Sequence, residues 1–318
     1  MAVFESRMSF LQPWAPEKGN PFVRGAPAEG FETLNYSNQE HAVKITDARP
    51  NMGEYDINTH GFAYHHDASI TADLLEALRA NDKAAVAAQY YPLVEKLVKE
   101  KTGANRVVIF DHTLRRRDPA LATTDNPNGR EQPASLLHLA YWIDTDPPSA
   151  LSAACTVAWA TRPTIFSRAV LRLSSSETAS IQVSRDLDQA NTPVPRRPHG
   201  LTFFRSVWRP LRGPVEEWPL ATMDGRTLKD GHVHPTNIFK HQYSLQGQTV
   251  SISYAPEQRW FYLDHQDTDE VTFIKIWDNK DDVKSKLCAH CAFPHPETPE
   301  NAALRESMKV RCLVFYEE

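Results

Sequence analysis

Apolar residues recur at steps of three and four across residues 71–101: Leu74, Leu75 and Leu78, then Val86, Tyr90, Leu93, Val94, Leu97 and Val98. That spacing lines one face of a helix, so two amphipathic helices are expected here. Asp82 is placed to cap the second, and Gly103 to end it. Elsewhere the pattern is that of strands. Residues 106–110 form a buried apolar run, and residues 248–254, 260–263, 271–277 and 308–315 are rich in β-branched and aromatic side chains between turn residues. Residues 1–60 are punctuated by Pro13, Pro16, Pro21, Pro27 and Pro50 and read as irregular or extended, with a short strand at 42–45. Helices first and many short strands later give an α+β chain whose β part is a sandwich or barrel. No internal repeat is visible.

Composition narrows the class of function. With 318 residues, 41% hydrophobic and 24% charged, the chain has the make-up of an ordinary globular protein with a full core. Its net charge of −5 offers no general attraction for nucleic acid or an anionic membrane. No apolar run approaches the ~20 residues that span a bilayer. The opening MAVFESRMSF lacks the basic start and apolar stretch of a secretory leader, so a cytoplasmic location is expected. Cys288 and Cys291 make a CxxC, yet no second pair supplies the four ligands of a structural zinc, and they read as ordinary thiols.

Several blocks occur in a telling order: FDHTLRR at 110–116, VWRPLRGPV at 207–215, WPLA at 218–221, QRWFY at 258–262, DEV at 269–271, HCAF at 290–293 and RES at 305–307. Together they resemble the asaB-type hydroxylase/desaturase family. That family includes gibberellin-desaturase-like enzymes, a fungal endoperoxide-forming enzyme and the smaller component of the cephamycin methoxylation system. The resemblance covers roughly residues 5–138 and 205–318. It implies an α+β fold with a double-stranded β-helix (jelly-roll) core and N-terminal helices. Within one domain of residues 1–318, an N-terminal extended and helical part (1–104) would precede the β-barrel part (105–318).

The resemblance also implies the chemistry: Fe(II) and 2-oxoglutarate as cofactors, O2 as co-reactant, and hydroxylation or desaturation of a small secondary metabolite. Two imidazoles and one carboxylate take one face of Fe(II) and leave the other for 2-oxoglutarate and O2. His290, in HCAF, stands where the family has its distal metal histidine. Arg305 and Ser307 form an Arg-x-Ser suited to the far carboxylate of 2-oxoglutarate, and Arg311 on the last strand competes for that part. The first ligand pair falls on His138 and Asp144, six residues apart where the family has two. An extended strand would part them by about 20 Å, so a bulge or loop is needed to bring both to one ion. Trp208, Arg209, Trp260 and Tyr262 are candidates to line the substrate pocket, although aromatics at strand spacing are more often core.

Two other histidine motifs compete. His65-His66-Asp67 contains a literal His-x-Asp, but it precedes the helices, outside the structural context that the motif needs. His232 and His234 lie in a turn-rich stretch and read as a surface loop.

Residues 150–205 fit neither a period nor the family. Shifting the reading frame of residues 153–169 back by one base permits Arg-Val-His-Arg-Gly-Met-Gly-Asp-Glu-Ala-Asp-Asp-Leu-Leu-Lys-Gly-Arg, which resembles the helix that follows the family's ligand pair. Residues 171–205, rich in Ser, Arg, Pro and Thr, look like translated non-coding sequence. The segment is therefore expected to be mistranslated or disordered. Sequencing the cDNA across residues 139–205 decides this, and a continuous message encoding these residues refutes it. A disrupted ligand pair also leaves a second reading of the chain, a non-catalytic accessory or binding protein on the same fold.

Overall fold

The computed structural model describes residues 2–25, 29–121, 132–135, 137–139, 170–173, 181–184, 201–239, 245–278, 280 and 282–316, with only the backbone of 16, 138–139, 170–173, 181–184, 201–204 and 246. Two sheets carry the architecture. The first has five strands: β4 (Phe62–His66), β14 (Glu270–Asp278), β9 (Leu201–Pro210), β16 (Glu306–Tyr316) and β5 (Arg106–Arg116), in that spatial order. The second has nine, in the order β1 (Val3–Leu11), β3 (Asn38–Asp47), β13 (Trp260–Tyr262), β10 (Leu220–Met223), β15 (His290–Ala292), β6 (His138–Leu139), β12 (Leu245–Ile252), β11 (Val233–Phe239) and β2 (Phe22–Arg24). A bridge from Leu11 to Ser253 brings the end of β1 back to the segment after β12, so this sheet curls. A separate pair, β7 (Val170–Leu173) and β8 (Ile181–Ser184), is the only described structure between residues 140 and 200. The family's jelly-roll core is thus present as a curled strand-rich sandwich.

Three apolar clusters hold the layers, and strand alternation decides which residue joins which. The helices α1 (Ala72–Arg79) and α3 (Tyr91–Thr102), joined through the short α2 (Lys83–Ala85), pack on the outer face of the five-stranded sheet, with Leu78, Val94 and Val98 against Val207, Phe273 and Val310. Their ends follow the expected chemistry. The Asp82 carboxylate accepts from the N–H groups of Ala84 and Ala85, and Gly103 closes α3 at φ +71°. A π turn over Val86–Tyr90 joins α2 to α3 and buries Tyr90 against the sheet.

Between the two sheets lie Phe62, Tyr64, Trp208, Leu220, Ile274, Ile276 and Leu313. Inside the curl of the nine-stranded sheet lie Phe10, Ile45, Met223, Ile252, Trp260, Tyr262 and Phe293.

One expectation needs correction. Residues 1–60 are not irregular: β1 and β3 pair over nine residues each, from Val3 opposite Thr46 to Leu11 opposite Asn38, and their prolines fall outside these strands. Strands from before residue 104 enter both sheets, with β1, β2 and β3 in the nine-stranded sheet and β4 in the five-stranded one. The expected strands at 106–110, 271–277 and 308–315 are found, the first running on to Arg116 and the other two longer at both ends.

Candidate active site between the sheets

The segment leading into β15 is held tightly. Gly61 has φ +89°, and a Cβ there would meet the Ser285 hydroxyl at 2.6 Å and the Leu287 carbonyl at 2.8 Å. Gly225 approaches the same two groups even more closely. Backbone bonds from Ser285 N–H to the Asn58 carbonyl (3.0 Å) and from Cys288 N–H to the Lys275 carbonyl (2.8 Å) fix the path. The two thiols of the CxxC end up in different clusters, Cys288 between the sheets and Cys291 inside the curl, both buried. Burial pushes both thiols up from their ordinary range.

This clamp orients His290, which is 3% exposed. Its Nδ1 lies 3.1 Å from the Cys288 carbonyl. A carbonyl only accepts, so Nδ1 carries the proton and Nε2 keeps the lone pair, the tautomer of a metal-bound histidine. Its face follows from register. Thr222 on β10 is directly opposite His290, and the Thr222 hydroxyl lies 3.2 Å from the Tyr64 hydroxyl on the facing sheet. Both Thr222 and His290 therefore look toward the five-stranded sheet. On its other side β15 pairs with β6, where His138 is the register partner of His290 and also of Ser251. The side chain of His138 and all of Asp144 lie outside the described residues, as does most of the 150–205 segment. Among the described residues no three His, Cys, Asp or Glu side chains gather at metal-binding distance.

Arg305 is the second feature. It is 3% exposed and sits just before β16, its guanidinium carbon 5.2 Å from the Trp208 ring centre. Its Nε donates to the Ser307 hydroxyl (3.3 Å) and its Nη1 to the Trp218 carbonyl. No carboxylate of the described residues comes within ion-pair distance of that guanidinium. Burial first, and then the like charge of Arg115, pull it down to about 9. Arginine keeps its proton, so the shift marks a cation whose lost hydration has not been replaced. An anion supplies what is missing.

Other expected site residues lie elsewhere or are occupied. Arg311 faces the inter-sheet space but is paired with Asp111, its register partner on β5, and donates to the Thr113 hydroxyl (3.0 Å). Of the four pocket candidates, Trp208 lies between the sheets. Arg209, one residue on, points the other way into the helix-side core, where it pairs with Asp67 and donates to Tyr90 and the Thr268 carbonyl. Trp260 and Tyr262 fill the curl of the nine-stranded sheet, on the face away from His290. Alternation explains all three displacements: Phe261, between the two aromatics, packs toward the inter-sheet cluster instead. Asp67 of the literal His-x-Asp is committed to Arg209, and His65 stands edge-on to the Phe273 ring at 4.7 Å. His234 is not in a surface loop but on β11, opposite Ser251, with its Nε2 3.1 Å from the Ser253 hydroxyl.

Residues that the sequence did not flag also matter here. Tyr64 and Thr222 reach the site only through the pairing and facing of distant strands, and no local motif marks them.

Comparison with known proteins supplies the context. A family model described as "Oxidoreductase/YMDC permease-like domain" matches residues 8–154 and 175–315, passing over residues 155–174. "Fe(II)/2-oxoglutarate-dependent dioxygenase nvfI" of Aspergillus novofumigatus is 35% identical over 313 residues, 98% of this chain and 96% of that protein. The chain belongs to the asaB-type hydroxylase/desaturase family. Within that family, "Hydroxylase/desaturase efuI" of Hormonema carpetanum is 26% identical over 91% of this chain. "Aspirochlorine biosynthesis protein N" of Aspergillus oryzae is 61% identical, but only over 112 residues, so the match spans about half (47%) of that protein. The solved structure of the iron and alpha-ketoglutarate-dependent endoperoxidase NvfI superposes with a TM-score of 0.76 at 32% identity, covering 99% of both chains. The asaB-type fold expected from the sequence blocks is the fold observed.

Proposed function

We propose that this asaB-type chain is a non-haem Fe(II)/2-oxoglutarate-dependent oxygenase that hydroxylates or desaturates a small secondary metabolite. His138, Asp144 and His290 would hold the metal. The support is the register that sets His138 opposite His290, together with the fixed tautomer of His290. Arg305 and Ser307 would hold the far carboxylate of 2-oxoglutarate. That assignment rests on a buried guanidinium whose Nη2 finds no acceptor among the described residues. Arg311 is the weaker candidate for the same task, because Asp111 already neutralises it.

Bound Fe(II) and 2-oxoglutarate, with O2, supply the oxidising power for a C–H bond; the protein's share is placement and shielding. Trp208 lies under the Arg305 guanidinium, and Ile274, Ile276 and Leu220 make the neighbouring surface apolar and exclude water. Stripped of water, a guanidinium–carboxylate contact strengthens and its two-pronged geometry fixes the cosubstrate's direction. The bond between Tyr64 and Thr222 ties the two sheets together beside His290 and holds that wall in place.

Anaerobic Fe(II) titration of the purified chain, with and without 2-oxoglutarate, tests the reading through the visible charge-transfer band. A band that needs both components is expected, and its loss in Arg305→Gln at 2-oxoglutarate concentrations that saturate the parent. If the parent chain develops no band, the oxygenase reading is wrong for this chain and the non-catalytic accessory role takes its place.

A further inference from the structure

We propose that Glu217 is a positioning residue for Arg305, aiming its guanidinium at the distal carboxylate of 2-oxoglutarate from the segment between β9 and β10. The inference rests on the oxygenase reading above, and on Arg305 as the cosubstrate residue within it. Glu217 and its neighbour Trp218 hold the two ends of that arginine. The Glu217 carboxylate accepts from the Arg305 backbone N–H through Oε2 at 3.1 Å. The Trp218 carbonyl accepts from Arg305 Nη1. Arg117 closes the arrangement: its backbone N–H donates to the Arg305 carbonyl (2.9 Å), and its Nε lies 3.5 Å from Glu217 Oε1. Arg305 stands one residue ahead of β16, outside the register of both neighbouring strands. The bond to Glu217 does for its backbone what a ladder bond does further along.

The backbone of this segment is fixed before it reaches Glu217. The Val215 N–H donates to the Gln266 carbonyl (3.0 Å), and the Thr298 hydroxyl donates to the Glu216 carbonyl (2.9 Å). Trp218 then precedes Pro219, a place where the chain is normally extended, yet its φ is +48°. A bulky residue rarely takes that left-handed conformation, and it persists where the surroundings impose it, above all at functional sites. The carbonyl presented there is the one that Arg305 Nη1 uses. Where the carboxylate binds matters as much. On the guanidinium itself it would compete with the ligand, as Asp111 does at Arg311. On the backbone N–H, Glu217 orients Arg305 and leaves the Nη2 edge to the ligand, while the group on Nη1 is an uncharged carbonyl. A carboxylate acting by charge alone would repel 2-oxoglutarate, so its removal would tighten binding. One that holds the arginine in place gives the opposite sign.

The Fe(II)-loaded chain is titrated anaerobically with 2-oxoglutarate and with 2-oxobutanoate, which has the same metal-binding head and no distal carboxylate. Glu217→Ala is expected to weaken 2-oxoglutarate about fivefold to tenfold, the range of one lost hydrogen bond, and to leave 2-oxobutanoate within about twofold. Glu217→Gln, whose amide oxygen still accepts from the N–H, is expected to recover most of that loss. Unchanged or tighter 2-oxoglutarate binding in Glu217→Ala overturns the proposal, and so does a glutamine variant as weak as the alanine one. An equal loss for both ligands, the mark of general damage, overturns it too. If the alanine variant does not fold, Glu217→Asp decides, since it keeps the charge and withdraws the carboxylate by one methylene: a loss confined to 2-oxoglutarate supports the role, and unchanged affinity refutes it. Arg305→Gln is titrated alongside. If it binds 2-oxoglutarate as the parent does, the assignment of Arg305 fails and this inference with it. If it loses 2-oxoglutarate while Glu217→Ala does not, that assignment stands and only the inference falls. A parent chain that binds neither 2-oxo acid sinks the oxygenase reading and the inference together.

Discussion

Arg209→Ala is expected to lower the unfolding free energy by about 3–5 kcal/mol, the cost of breaking a buried ion pair and leaving one partner behind. Arg209 is fully buried and its partner Asp67 nearly so. The guanidinium also donates to the Tyr90 hydroxyl (3.0 Å) and the Thr268 carbonyl (2.6 Å), and lies over the Tyr90 ring. One side chain thus joins β9, the end of β4, the π turn before α3 and the loop before β14. Removal strands a carboxylate, a phenol and a carbonyl together. Against a total stability of about 5–15 kcal/mol, the loss takes the chain close to unfolding. Urea or guanidinium denaturation of parent and variant measures it. The double variant Arg209→Met with Asp67→Asn should recover part of the loss, since it removes the stranded charge. A pocket residue would behave otherwise: Arg209→Ala would then keep the parent's midpoint and change only substrate affinity.

Arg209 also illustrates what was legible in the chain. The helices over residues 72–102 and their caps follow from local spacing, because periodicity and end chemistry are written in neighbouring residues. The runs at 271–277 and 308–315 announce strands in the same way. Which face of a strand meets which layer is a different matter. Trp208 and Arg209 are adjacent in one motif, yet one lies between the sheets and the other under the helices. The neighbours Trp260, Phe261 and Tyr262 divide likewise. A strand buried on both faces has no polar side to set its phase, so sequence alone leaves the choice open. The pairing of β1 with β3 was hidden for another reason: prolines flank the two strands without interrupting them, and the register partners lie 27 to 43 residues apart, from Leu11 with Asn38 to Val3 with Thr46. The site combines both situations. His290 and Arg305 stand in recognisable motifs, whereas Thr222 and Tyr64 come beside them only through the pairing and facing of distant strands.

His290→Ala is expected to cost at least a hundredfold in Fe(II) affinity and to abolish the charge-transfer band, with the fold retained. The lower bound is cautious, because losing a partner behind a ligand already costs 10–100-fold and here a ligand itself goes. Retention of the fold is expected because the path of that segment is fixed by the backbone bonds of Ser285 and Cys288 rather than by the ring. Thermal unfolding of the metal-free proteins checks this, and midpoints within a few degrees are expected. Fe(II) binding undiminished in His290→Ala would move the metal to another set of donors and refute the assignment. The comparison also isolates the unusual His138–Asp144 spacing. His290 can act as a ligand only if β6 and the chain after it deliver the other two donors. A parent chain that binds Fe(II) in a His290-dependent way shows that the six-residue interval is bridged, and His138→Ala and Asp144→Ala then identify the donors one at a time. A parent chain that binds none leaves His290 correctly presented beside an incomplete pair, which is the condition of a protein that keeps the family's framework without its chemistry.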